Sequence, residues 1–271
     1  PFPPRATKQQ KQRVIKKMRD IHPALSNLKN TAFIRSQEID ELDKQLLLER
    51  HLVSQEFIEP GEGRALILGK DESVSIMVNE EDHLRMQVLA SGFDLRAIWT
   101  VLNAIDDELG SKLTFSYLPD LGYLTACPTN VGTGLRASCM LHLPALILTK
   151  RINKILELLT RISFTTRGLF GEGTQALGDF FQISNQVGLG VSEEELIENL
   201  IGVVNQVKAQ EVDARATLLK KHKLMLEDNV WRALAILRNA RLISSKEALG
   251  YLSILSLGLD LGIIKRNDIT I

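Results

Sequence analysis

The sequence lacks several features that would have narrowed its chemistry at once. Cysteine is scarce: Cys127 and Cys139 are the only two in 271 residues. No secretory leader precedes them, so free, reduced thiols in a cytoplasmic setting are expected rather than a disulfide framework. Charge of one sign is not in excess either. Lys and Arg balance Asp and Glu at 33 each, which argues against a nucleic-acid or acidic-surface partner recognised by bulk charge. The longest apolar run, residues 141–148, is interrupted by His142 and Pro144. It falls well short of the ~20 residues a membrane-spanning helix needs, so a soluble chain is expected. Three nucleotide signatures are missing: the P-loop, the paired H-R-D and D-F-G motifs, and a strand–GxGxxG–helix. The five histidines show no metal-binding spacing such as H-E-x-x-H, and there is no internal repeat or low-complexity tract. Any phosphate chemistry here uses a different apparatus.

What is present suggests alternating strands and helices followed by a helical end. The chain opens on "PFPPRATKQQKQRVIKKMRD", with no initiator Met and three prolines in the first four residues, as if entered mid-sequence. Val14, Ile15 and Met18 at helical spacing predict an amphipathic helix over 7–20, and "EIDELDKQLLLER" a second over 38–50. "RALILGK", "SVSIMVN", "KLTFSYL" and "ASCMLHLPALIL" read as strands. Helices are expected over 80–90 and 94–109 and again after Arg151. A strand follows near "ISFTTRGLF", then a Gly-punctuated loop and a strand at "FQISNQVGL". Ser192 with Glu195 three residues on is a capping-box signature that opens a helical C-terminal third. The early strands recur too closely for a doubly wound parallel sheet. The expected class is therefore α+β, a largely antiparallel sheet flanked by helices. It is organised as one domain over 1–271: a helical lead-in at 1–44, a sheet core at 45–190 and a helical part at 191–271.

Three segments carry candidate chemistry. In "VNEEDHLRMQ", Glu80, Glu81, Asp82, His83 and Arg85 sit where a strand is expected to feed a helix. They are either an acidic helix start that favours the dipole or a group that grips a cation or guanidinium. In "CPTNVGTGLRAS", residues 127–138, Cys127 is either a small core side chain or an exposed thiol whose pKa nearby Arg136 lowers. Gly132 and Gly134 would let backbone N–H groups approach a phosphate. In "TTRGLFGEGTQ", Arg167 and Glu172 lie on a hairpin tip or on a Gly-hinged lid.

Taken together and in this order, "NEEDHLR", "CPTNVGTGLRAS" and "RGLFGEG" resemble the catalytic-domain signatures of the ATP:guanidino phosphotransferases, the family of creatine and arginine kinases. The resemblance covers residues 45–190. Further texture resembles the bacterial protein arginine kinases of the McsB type: "LTACPTNVGTGLRAS", "HLPAL", "FQISNQ" and "LGLDLGIIK". The resemblance implies an antiparallel sheet flanked by helices that binds ATP, with Mg²⁺ held mainly through the nucleotide's phosphates. It implies transfer of the γ-phosphoryl group to the guanidino group of arginine residues in proteins. Alternatives are a kinase of free arginine or another guanidino metabolite, and an inactive relative serving as a binding module. Arg85, Arg136 and Arg167 match the family's phosphate-binding arginines, and His51 in "ERHLVS" the position whose ring packs near adenine. Glu81 matches the carboxylate that grips the guanidinium, Cys127 the cysteine beside it, and Glu172 the carboxylate of the mobile loop. An activator protein and a homodimer are possible partners; nucleic acid and membrane are not expected.

These residue types suit the chemistry. Phosphoryl transfer needs in-line positioning and neutralisation of charge, which arginines supply in fixed bidentate geometry. A guanidinium, with a pKa above ~12, is a poor nucleophile until carboxylates align it and take its proton. Four departures from the family pattern matter. The family's upstream arginine segment, normally just before a "PFP"-like stretch, is not in this chain, and Arg5 does not replace it. No N-terminal helical domain of the metabolite kinases is recognisable, and Met77 stands where they often have Trp; both lean towards a protein substrate. The chain is also expected to stop short of the C-terminal region of the protein arginine kinases.

Overall fold

A computed structural model describes residues 1–168 and 177–268. In chain order the regular elements are α1 (Lys8–Ile21), β1 (Thr31–Arg35), α2 (Glu41–Glu49), α3 (Gln55–Ile58), β2 (Ala65–Gly69), β3 (Val74–Val78), β4 (Leu84–Val88) and α4 (Leu95–Gly110). There follow β5 (Tyr117–Leu118), β6 (Gly122–Tyr123), β7 (Ser138–His142), α5 (Pro144–Leu148), α6 (Ile152–Arg161), β8 (Phe164–Arg167) and β9 (Phe180–Asn185). The helices α7 (Glu193–Lys221), α8 (Lys223–Asn239) and α9 (Ser245–Asp260) complete the order. Every strand pairing among the described residues is antiparallel, as an α+β fold of this kind requires. The chain divides into two compact units, Pro1–Leu135 with Gly188–Glu193, and Arg136–Val187 with Glu194–Ile271.

The first unit is built on the four-stranded sheet β1-β2-β3-β4. Because strand side chains alternate in direction, one face of β3 presents Val74, Ile76 and Val78. These pack with Ile15 and Met18 of α1, Ile105 and Leu109 of α4, and Leu84, Met86 and Val88 of β4. The opposite face presents Met77, with Leu66 of β2, against Ile39, Val53 and Phe57. α1 starts where expected, at a capping box in which Thr7 and Gln10 bond reciprocally. β1 had no counterpart among the expected elements.

Residues 80–90 are not a helix. Glu, Leu, Met, Gln and Ala are good helix formers, but Leu84, Met86 and Val88 alternate strictly with Arg85 and Gln87. Burial of that apolar row against the first core face makes the segment β4, antiparallel to β3. The strand expected at "KLTFSYL" shrinks to Tyr117–Leu118.

The second unit holds the sheet β7-β9-β8 and the three long C-terminal helices. The run "ASCMLHLPALIL" splits: it is a strand to His142, then turns at Leu143 into α5 with Pro144 in its first turn, where proline's fixed φ and missing N–H cost nothing. α7 begins one residue after Ser192, and its buried stripe of Leu196, Ile197, Leu200, Val204, Val207, Ala214 and Leu218 follows helical spacing. In α9, a Cβ on Gly258 would lie 2.6 Å from Val230 Cγ1 of α8, so glycine sets how closely these two helices approach. Among the described residues no helix is long and apolar enough to cross a membrane.

Candidate active site

The "NEED" residues form the tight connection between β3 and β4. Asn79 takes a left-handed backbone, φ 58°, a conformation asparagine tolerates better than most residues. Its N–H bonds to the His83 carbonyl at 3.0 Å. Its side-chain amide donates to the carbonyls of Lys11 and Gly63, and its Oδ1 lies 2.8 Å from His83 Nδ1. This turn, and not a helix start, is what aims the acidic residues.

Each of the three carboxylates has a different environment. The Glu80 side chain is only 1% exposed. It accepts from Arg85 Nη1 at 2.9 Å, from the Glu81 N–H at 3.1 Å and from Ser54 Oγ. Glu81 is exposed. Partial desolvation, with Asp82 and Glu80 beside it, pushes its carboxyl above the usual range, against the pull of Arg85. Asp82 is half-buried and is also pushed up, first by burial, while the Ala126 N–H it accepts opposes the shift. That bond, Ala126 N–H to Asp82 Oδ1 at 2.7 Å, fastens the residue next to Cys127 to the residue next to Glu81.

Cys127 is half-buried and precedes a single helical turn, Pro128–Asn130. Its Sγ lies 3.0 Å from Thr129 Oγ1, and its carbonyl accepts from Thr125 Oγ1 at 2.7 Å and from the Asn130 N–H at 3.0 Å. Cys139 sits on β7, half-buried, its thiol pushed up by burial. The glycines after Cys127 do something other than expected. Gly132 bonds through both backbone groups to Tyr123, and a Cβ on it would come within 2.3 Å of the Gly188 carbonyl. Its φ of 113° and missing side chain serve close chain packing, and its N–H is already taken. Gly134 also has positive φ.

Arg85 lies on β4 opposite Met77, so it projects on the second core face, the side of α3. Met77 is fully buried there, with Sδ accepting the Ser54 N–H at 3.4 Å. His51 follows α2 with φ 59° and is exposed, although neighbouring chain desolvates the imidazole enough to push it down. Its carbonyl and that of Leu52 both accept from Gln87 Nε2 at 2.8 Å. His51, Ser54, Glu80, Glu81, Arg85 and Cys127 thus belong to the first unit.

Arg136 and Arg167 belong to the second. Directly opposed residues of paired strands share a face. The register therefore places Ser138, Ser184 and Thr165 in one row, and Met140, Gln182 and Arg167 in the next on that face. Arg136, two residues before Ser138, reaches it too: its Nη2 donates to Ser184 Oγ at 2.8 Å. Gln182 Nε2 donates to Ser138 Oγ at 3.0 Å. Arg136 is exposed and Arg167 half-buried. Glu172 lies outside the described residues.

Two residues that sequence reasoning passed over are prominent. Glu80 was one acidic residue among several, and Ser54 was not singled out. Ser54 is readable afterwards as the N-cap of α3, accepting the Phe57 N–H at 3.1 Å; its bond to Glu80 crosses between distant segments and leaves no local pattern.

Comparison with known proteins identifies the family. A family model described as ATP:guanido phosphotransferase, C-terminal catalytic domain, matches residues 13–214. A second, described as Protein-arginine kinase McsB C-terminal domain, matches residues 223–271. The chain therefore does run into that C-terminal region, contrary to expectation. The chain is 48% identical over 246 residues to a protein-arginine kinase of Desulforamulus reducens, covering 91% of this chain and 68% of that protein. With the one of Halothermothrix orenii it shares 46% over 268 residues, 99% of this chain and 76% of that protein. Among solved structures, lombricine kinase superposes with a TM-score of 0.68 at 27% identity, covering 79% of this chain and 63% of that one. The duplicated taurocyamine kinase from Schistosoma mansoni gives a TM-score of 0.69 at 24% identity, over 76% of this chain and 30% of that one, and bears on the fold alone. The chain belongs to the ATP:guanido phosphotransferase family.

Proposed function

We propose that this chain is an ATP-dependent protein arginine kinase, a phosphotransferase whose acceptor is the guanidino group of arginine side chains in proteins. The family match and the protein-arginine kinase relatives support the reaction class. One structural observation carries the assignment of residues: the bond from the Ala126 N–H to Asp82, which holds Cys127 and Glu81, each one residue away, on joined backbone segments. An exposed carboxylate and a thiol so fastened suit a planar cation with several N–H donors.

In this reading Glu81 orients the acceptor guanidinium and takes its proton as the N–P bond forms and the bond from phosphorus to the ADP oxygen breaks. Its raised carboxyl pKa favours that proton transfer. Cys127 and Glu172 assist at the guanidinium. Arg85, Arg136 and Arg167 neutralise the phosphates, and His51 packs near the adenine. Among the described residues no three His, Cys, Asp or Glu side chains converge as a cation site. Mg²⁺ would be held mainly by the nucleotide's phosphates, where it supplies charge neutralisation. A cytoplasmic location, an activator protein and a homodimer complete the proposal.

The test is an acid-labile phosphorylation assay with ATP and either an arginine-containing protein or free arginine. Phosphoarginine in the protein, lost in Glu81→Ala, is expected; turnover of free arginine alone overturns the reading.

A further inference from the structure

The buried carboxylate of Glu80 is not in the set of groups assigned to touch substrate, yet it is the group to which that set is tied. Its Oε1 accepts from Arg85 Nη1 at 2.9 Å and from Ser54 Oγ, while its Oε2 accepts from the Glu81 N–H at 3.1 Å. The two ends of its ion pair differ sharply in exposure: 1% for Glu80 and 47% for Arg85. A carboxylate this buried is strongly disfavoured without partners, so each of its donors is held in place. Arg85 is held by one terminal nitrogen, and its half-exposed side chain has further N–H donors that can bind an anion.

We propose that Glu80, seated by Ser54, is the positioning residue that sets Arg85 for the phosphate and the Glu81 backbone for the acceptor at the same time. The proposal rests on the functional reading above. One buried carboxylate joins the two sides because β3 and β4 meet in a turn of only a few residues. Glu81 leaves that turn toward solvent, and Arg85 returns two residues into β4 on the face of α3. Ser54 completes the seat from the α3 side of the sheet: its hydroxyl both accepts the Phe57 N–H as the α3 cap and donates to Glu80. The start of α3 and the site turn are thereby fixed to each other. Nucleotide affinity then depends on a side chain that never meets the nucleotide.

The experiment measures ADP affinity by titration calorimetry, together with kcat and the KM for ATP in protein phosphorylation. The variants are Glu80→Gln, Arg85→Gln, the double variant, Ser54→Ala and Ser54→Thr, each checked for its unfolding midpoint. Loss of a charge-assisted bond predicts ADP affinity in Glu80→Gln weaker by about 10- to 100-fold, with kcat falling as well. In the double variant the losses should be far from additive, because Glu80 acts on the nucleotide through Arg85. Ser54→Ala should lower kcat about fivefold and Ser54→Thr, which keeps the hydroxyl, should restore it; this pair decides the matter if Glu80→Gln does not fold. Unchanged ADP affinity in a folded Glu80→Gln, additive losses, or a Ser54→Thr no better than Ser54→Ala overturns the proposal. A wild-type chain that binds ADP but phosphorylates no protein arginine overturns the functional reading and leaves the coupling of Glu80 to Arg85 measurable by affinity. A wild-type chain that does not bind ADP overturns both.

Discussion

The turn between β3 and β4 gathers carboxylates, whereas the polar face of the β7-β9-β8 sheet carries arginines among hydroxyl and amide groups. In the turn, acidic groups crowd together and are fixed by backbone donors and one arginine: Glu80 takes the Glu81 N–H and Asp82 the Ala126 N–H. Burial first, and like charge after it, raises the carboxyls of Glu81 and Asp82. On the sheet face, Arg136 is met by the neutral hydroxyl of Ser184, and its neighbours Ser138 and Gln182 bond to each other. Crowded like charges store unfavourable energy that a cation relieves. The guanidinium of an arginine offers several N–H donors of the kind an anion takes. In the proposed reading the first arrangement meets the acceptor guanidinium and the second meets the phosphates.

The sharpest way to break this comparison is to remove Glu81. Glu81→Ala should lower kcat by about 10²–10⁴-fold, the usual worth of a positioned proton acceptor, while ADP affinity changes little. Arg136→Gln should do the reverse in kind: ADP affinity drops and kcat falls by about 10²–10³-fold, the scale of losing one preorganised donor to developing charge. If both variants lost affinity and turnover in the same proportion, the division of labour between the two regions would be wrong.

Substitution at Asp82 separates charge from tether. Asp82→Asn keeps an oxygen able to accept the Ala126 N–H, whereas Asp82→Ala does not. Asp82→Ala should therefore lower kcat about tenfold through a misplaced Cys127 segment, the effect of one hydrogen bond, and Asp82→Asn by much less. The charge shows in the pH profile. Glu81 must be ionised to accept a proton, and its raised pKa in the free protein puts the acid limb of kcat/KM above the ordinary carboxylate value of 4.5. Since Asp82 is one of the charges raising it, Asp82→Asn should move that limb to lower pH. Stability follows with its own sign. A carboxyl whose folded pKa is raised contributes stability below its unfolded value and loses it as pH rises through the folded one. At neutral pH Asp82 therefore opposes folding, and Asp82→Asn should raise the denaturation midpoint slightly.

How much of this was legible beforehand depends on the range of the interaction. The antiparallel α+β class and the helical C-terminal part follow from local spacing, α1 and α4 begin and end near where their periodicity places them, and α6 begins after Arg151 as expected. The three motifs, and through them Glu81, Arg85, Cys127, Arg136, Arg167 and Glu172, were visible as strings, as was His51 in "ERHLVS". Their geometry was not. "LRMQV" has the propensities of a helix, and the burial of Leu84, Met86 and Val88 against α1 and α4 overrides them. Gly132 looked like room for a phosphate, yet it is room for Gly188, more than fifty residues away in sequence. Glu80 and Ser54 differ by 26 positions, and no local pattern announces a bond of that kind.

The smallest effect tests whether backbone-fixed carboxylates in the first unit behave alike when no like charge is crowded against them. Glu108, at the end of α4, accepts the Ser26 N–H at 2.5 Å, Ser26 Oγ at 2.6 Å and the Asn27 N–H at 2.9 Å. The Ser26 hydroxyl first, then these N–H groups, pull its carboxyl down to about 2, the opposite direction from Glu81 and Asp82. Its stability contribution is present above the ordinary carboxylate value of 4.5 and is lost as pH falls towards about 2. Because the side chain is open to water, solvent screening keeps the contribution under about 1 kcal/mol. Urea unfolding of wild type and Glu108→Gln should therefore differ by less than that at pH 7, and the two curves should converge on acidification from pH 4.5. Asp82→Asn, compared in the same way, should lose its advantage over wild type as pH falls through the raised pKa of Asp82. Convergence of both pairs from opposite sides would show that the sign of each shift, and not the number of hydrogen bonds, decides what a carboxylate contributes. A Glu108→Gln difference that held constant with pH would place its role in packing.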